Sequence, residues 1–219
     1  ITSTLINAST DTISLFCDTI QLNTGSANSA ISASGGLIKI KAQELTFSAT
    51  SNHPVVLIGS VGNSINADII RDISVSNSGS IALTGKQLIC NSSIVNAIIT
   101  TTRGAFCAFE SATISNKNTA FNVSSALGVL DCKFGTLTCA TTQNSFTATA
   151  GSTLIINANN VVHNITSGLS FVDISASNLT MNLGRISTNA ARVLNSVSTS
   201  TIFVNIDYAS LTNSLAIMA

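Results

Sequence analysis

The sequence predicts an all-β protein folded as a parallel β-helix, a β-solenoid of about nine rungs of about 24 residues each, right-handed, with residues 1–219 forming a single domain. Three observations carry that reading: a short apolar pattern recurring at near-constant spacing, apolar and polar residues alternating on either side of it, and a composition almost without charge.

The recurring pattern is an apolar residue, any residue, an inward residue that is usually small, two further residues and a second apolar residue. It reads LFCDTI ending at Ile20, IKAQEL at Leu45, INADII at Ile70, LTGKQL at Leu88 and FESATI at Ile114. It continues as CKFGTL ending at Leu137, INANNV at Val161, MNLGRI at Ile186 and IDYASL at Leu211. The spacings are 25, 25, 18, 26, 23, 24, 25 and 25 residues. So loose a pattern arises by chance in an apolar chain, whereas its regular spacing does not, and a period of this size marks a repeat architecture.

Within the later rungs an alternating segment comes first: FNV at Phe121, FTA at Phe146 and FVDI at Phe171. Several small residues follow, then a second alternating segment, LGVLDC, STLIINA or NLTMNL. Alternation over four to eight positions is the signature of a half-buried strand. Gly35-Gly36, Gly79, Gly104, Gly128, Gly151 and the pair Asn159-Asn160 supply corners between strands. Apolar residues at helical spacing do not persist across any 12-residue window, so no long helix is predicted. Each rung is therefore expected to hold two or three strands of about four or five residues.

Stacking such coils puts each strand about 4.8 Å from its counterpart in the next rung, where their backbones hydrogen-bond. Inward positions then form columns, and Cys17, Ala42, Ala67, Gly85, Ser111, Phe134, Ala158, Leu183 and Tyr208 are expected to share one. Outward positions form ladders, in which a repeated charge would repel itself. The composition suits this: Asn, Ser and Thr make up 83 of the 219 residues, and only 8% are charged. With 9 Lys+Arg against 9 Asp+Glu the chain has no net charge, which argues against nucleic acid or an anionic membrane as partner. No apolar run approaches the roughly 18 residues of a membrane helix, so no membrane insertion is expected.

Five cysteines, Cys17, Cys90, Cys107, Cys132 and Cys139, form an odd set without a CxxC pair. Each lies in or beside an apolar run, where a thiol behaves as a small hydrophobe, and they are read as reduced core residues. His53 and His163 have no cysteine at ligand spacing, so no metal and no cofactor is predicted.

The stretch GGLIKIKAQELTF, Gly35 to Phe47, resembles rungs of haemagglutinin-like and autotransporter adhesin β-helices. As architecture, nearly the whole chain resembles the pectate-lyase-like single-stranded β-helix class, which includes phage tailspikes. The GGA[ILV] and FxxN repeats of polymorphic outer-membrane proteins are not matched, since GGLI occurs once and FxxN not at all. The resemblance implies a rigid surface or virion component, or an enzyme acting on surface polysaccharide.

For such an enzyme the candidate residues are Glu110, Asp131 and Lys133, with Arg103 nearby in sequence. The expected register sets Glu110 opposite Lys133 on successive rungs, with Asp131 on the same face at a diagonal of roughly 7–8 Å. That separation falls in the roughly 6.5–9.5 Å window of inverting glycosidases. The simpler reading is a solvated ladder of opposite charges, worth about 0.2–1 kcal/mol, and no catalytic residue is assigned.

The sequence thus predicts a non-enzymatic structural or adhesive rod, a segment of a longer rod or a subunit meeting its neighbours end to end. Expected partners are copies of itself or other structural subunits, and a cell-surface glycan or receptor. The expected setting is the cell surface or a virus particle. The alternatives are a tailspike-like enzyme that cleaves surface polysaccharide and a module that binds glycan without cutting it.

Overall fold

The computed structural model describes residues 6–8, 12–24, 31–33, 37–49, 64–67, 73–75, 80–91, 99–101, 104–117, 119–165, 169–212 and 216–218, with side chains chiefly within 104–212. In chain order the strands are β1 (Ile6–Ala8), β2 (Thr12–Thr24), β3 (Ile31–Ala33), β4 (Leu37–Ala49), β5 (Ser64–Ala67), β6 (Ile73–Val75), β7 (Ser80–Asn91), β8 (Ile99–Thr101) and β9 (Gly104–Lys117). They continue as β10 (Phe121–Ser124), β11 (Val129–Thr141), β12 (Phe146–Thr149), β13 (Thr153–Ile165), β14 (Ser170–Ile174), β15 (Asn178–Thr188), β16 (Arg192–Ser196), β17 (Thr201–Leu211) and β18 (Ala216–Met218).

These strands sort into two sheets. One runs β1-β3-β6-β8-β10-β12-β14-β16-β18, the other β17-β15-β13-β11-β9-β7-β5-β4-β2. Neighbours pair parallel, as in β11 with β13 and β10 with β12, so the chain is a parallel β-solenoid of stacked coils. Residues 104–211 make about four turns, and the expected total of nine takes in stretches outside the described residues.

The three expected legs of a rung exist, but two of them form one long bent strand. In β11 the inward residues are Leu130, Cys132 and Phe134, then Leu137, Cys139 and Thr141; Gly135 and Thr136 between them both lie outside the core. The pairing omits one residue at this bend in rung after rung: Phe134 pairs with Ala158 and Thr136 with Asn160, while Gly135 is skipped. The same skip falls at Asn159 and Gly184 between β13 and β15, and at Gly184 and Asp207 between β15 and β17. Gly135 and Gly184 fit here because a Cβ would lie 2.4 Å from the Glu110 carbonyl oxygen and 2.7 Å from that of Asn159. The corner after each short strand is also periodic. Ser125, Ala150 and Ala176 stack there with φ of 101°, 60° and 47°, a left-handed turn made by small residues.

Inside, aromatic rings stack along the axis. Phe121, Phe146 and Phe171 are fully buried, with ring centroids 4.7 Å apart for the first pair and 5.2 Å for the second. Cys107 and Cys132 sit opposite each other, and Cys107, Cys132 and Cys139 are buried free thiols. Burial pushes the Cys132 thiol up, and its hydrogen bond with Cys107 adds to the shift. Cys17 and Cys90 have no described side chain.

The structure corrects the phase of the repeat at three rungs. The column through Gly85, Phe134, Ala158 and Leu183 holds Phe109 and Ile206 where Ser111 and Tyr208 were expected. Tyr208 pairs instead with Arg185 and is 56% exposed. A slip of two residues preserves the alternation of a straight strand, so alternation alone cannot place the bend, where two successive residues lie outside the core. Apolar burial can: the true phase encloses the rings and aliphatic chains. In β5, Ile65 rather than Ile70 aligns with Leu45 and Leu88, so the spacings of 25 and 18 become 20 and 23.

Candidate functional site

The bend in the long strands has two outward columns beside it. Ala108, Lys133, Asn157, Asn182 and Asn205 form the first, aligned rung by rung. Glu110, Gly135, Asn159, Gly184 and Asp207 form the second, at the skipped corner position. Between them runs an open groove of about 770 Å³. Phe109, Phe134, Ala158 and Leu183 contribute to its floor, and Phe106 lines one end.

Each wall has a distinct chemistry. In the first column Asn182 donates through Nδ2 to Asn157 Oδ1 at 3.0 Å, an amide ladder along the axis. Lys133 stands at the end of that ladder, 3.9 Å from Asp131 Oδ2 and with its Nζ 5.3 Å from the centre of the Phe106 ring. The second wall alternates side chain and gap: Glu110, Asn159 and Asp207 project, and the glycines between them leave notches. Two carboxylates and one ammonium line the groove, so it is mildly acidic.

Of the residues singled out from the sequence, Glu110 and Lys133 both line the groove. Their expected pairing is not formed. Lys133 lies opposite Ala108, and Asp131 lies opposite Phe106, four positions before Glu110. At about 3.3 Å per residue this puts Asp131 and Glu110 about 13 Å apart along the strand, beyond the window for a water-activating carboxylate pair. The charge partner of Lys133 is Asp131 on its own strand, so the expected ladder of opposite charges across rungs is replaced by a pair within one rung. Arg103 lies outside the described residues. Among the described residues no three His, Cys, Asp or Glu side chains come together as a metal site.

Sequence reading missed the amide ladder and Asp207. The signal was present as asparagine recurring at one offset in INAN, MNLG and VNID, but it is diluted by the 23 asparagines of the chain. A second polar ladder crosses the short strands. Thr147 donates to Asn122 Oδ1 at 2.7 Å, and Asp173 accepts from Asn144 at 3.1 Å and from Asn195 at 2.7 Å. Its groups satisfy one another, whereas the walls of the groove face open space.

No protein-family model, curated protein or solved structure matches the chain.

Proposed function

We propose that the protein is a non-enzymatic structural and adhesive rod, extended along its axis by further rungs and making contacts through its outward ladders. The observation that carries this reading is the open layer at β17. Met181, Leu183 and Ile186 of β15 are essentially inaccessible, while the equivalent Val204, Ile206 and Ala209 of β17 are only partly buried against the same core. β17 is also the edge of its sheet, so its outer backbone groups face away from any described strand. An edge of this kind pairs with the terminal rung of a second subunit where one is offered. Uncharged ladders support the same reading, because they let rungs accumulate without repulsion. A cell surface or a virus particle is the setting that fits such a rod.

Sedimentation velocity of the 219-residue chain tests the assembly. The expected result is concentration-dependent growth into end-to-end oligomers, abolished when Val204 and Ile206 are both replaced by lysine. A species that stays monomeric at high concentration, with its circular dichroism intact, overturns end-to-end assembly. Release of new reducing ends from a surface polysaccharide overturns the non-enzymatic part.

A further inference from the structure

The groove is built from one repeating unit, so what fits one rung fits the next about 4.8 Å further on. That periodicity, the polarity of the walls and the orientation of the backbone each narrow the occupant. Hydrogen bonds between rungs run along the axis and consume the strand N–H and C=O groups under the groove. The groove therefore meets a ligand through side chains along its length; the open edge of β17 lies at its end, where an added strand would extend the stack rather than run along the groove. A peptide laid along the axis carries its polar groups about every 3.3 Å and falls out of step with amides about 4.8 Å apart.

Charge excludes another class. Glu110 and Asp207 flank the groove, and its single ammonium, Lys133, is held near Asp131. A phosphate or carboxylate polymer would meet net repulsion. An acyl chain would strip water from amides and carboxylates without replacing their hydrogen bonds. A hydroxyl both donates and accepts and rotates to suit, so it satisfies amide N–H, amide C=O and carboxylate alike. Phe106, a partly exposed ring at one end, offers a surface for C–H groups.

The second wall adds a longer period. Glu110, Asn159 and Asp207 recur every second rung, with the notches of Gly135 and Gly184 between them. Two rungs span about 9.6 Å. This suits a linear polymer whose successive units turn over, so that like faces recur at every second unit.

We propose that this groove binds an uncharged, unbranched oligosaccharide laid along the rod axis, held by the Asn157–Asn182–Asn205 ladder on one side and by Glu110, Asn159 and Asp207 on the other. The proposal rests on the adhesive part of the reading above and is independent of end-to-end assembly. Loss of glycan binding with oligomers intact would remove the site and leave the rod; the reverse result would leave the site and remove the assembly.

Calorimetric titration of the 219-residue chain with cellohexaose, chitohexaose and hexagalacturonate tests it. At least one neutral hexamer is expected to bind at least tenfold more tightly than the hexagalacturonate, with affinity changing less than twofold between 50 and 500 mM NaCl. Replacing Asn157 and Asn182 together by alanine is expected to weaken binding at least tenfold, the effect of about two lost hydrogen bonds. Ser187→Ala, on another face, leaves it unchanged. Should the double variant unfold, Asp207→Asn on the exposed corner of β17 provides the comparison, with a loss of at least threefold expected. Failure of both neutral hexamers to bind, equal binding by folded groove variants, tighter binding of the anionic hexamer, or displacement of the sugar by a proline-rich decapeptide would each overturn the proposal.

Discussion

His163 is the one fully buried imidazole among the described residues, and it is only half satisfied. Its Nδ1 shares a 2.9 Å hydrogen bond with Thr188 Oγ1, its Nε2 has no partner, and its ring meets the edge of Phe171. Burial disfavours the imidazolium and lowers its pKa from 6.5 to about 4. The unfolded chain then binds more protons than the native one between those values, so stability is complete above about pH 6.5 and declines as pH falls toward 4. The drop amounts to about 3 kcal/mol. Urea midpoints at pH 4.5 and 7.5 check this, and His163→Leu is expected to remove most of the difference. Phe146 is fully buried between the rings of Phe121 and Phe171, and Phe146→Ala is expected to cost about 3–5 kcal/mol by thermal melting. Cys107, Cys132 and Cys139 are shielded from reagent, and Cys132 is further protected by its raised pKa. Alkylation followed by mass spectrometry should leave these three unlabelled in the native protein and label them in urea. Their burial was legible in the sequence, because each stands in an apolar run. The partner of His163 was not, because Thr188 is 25 residues away and meets it only through the stack.

Two of the corners of each rung predict a substitution. A methyl group at Gly135 would overlap the Glu110 carbonyl, which belongs to the rung below. Gly135→Ala is expected to destabilise by about 1–3 kcal/mol in urea titration. Ala176 has the opposite character. Its φ of 47° is a left-handed conformation that costs an alanine about 1–2 kcal/mol, and glycine adopts it without that cost. Ala176→Gly is expected to stabilise by about 0.5–1 kcal/mol after the added chain entropy of glycine is subtracted. The in-and-out alternation of the strands was legible from residues such as Leu130, Cys132 and Phe134. The position of the bend was not, since FESATI and CAFESA are equally acceptable six-residue patterns that differ by two positions. Only the neighbouring rung, with Phe134 beside Phe109, distinguishes them.

As a whole the molecule is one-dimensional: each coil meets the coil before and the coil after. Stability is then close to a sum of rungs and interfaces, and a whole rung can be removed. Residues 153–177 are one such unit, since Thr153 pairs with Asn178. Deleting them brings Phe134 onto Leu183 and Leu137 onto Ile186, both core pairs. The shortened chain is expected to fold with the same circular dichroism per residue, a lower urea m-value and a rod shorter by about 4.8 Å in small-angle scattering. Deletion of 20 residues from the same place breaks the register and is expected to prevent folding.

The composition and the period by themselves determined that this chain is a charge-poor β-solenoid with small and apolar residues inside and neutral ladders outside. Those properties are local or statistical: they need a side chain's polarity and its distance to the next similar one. Tertiary structure alone decided the phase of the rungs, the skipped residue at the bend, and therefore which outward residues share the groove. Glu110 lost Lys133 as its neighbour and gained a wall with Asn159 and Asp207. The physical reason is that a two-residue slip preserves both the strand alternation and the backbone hydrogen bonds but moves the bend, and packing of the enclosed side chains against the adjacent coil, as of Phe134 beside Phe109, is what selects one slip over another.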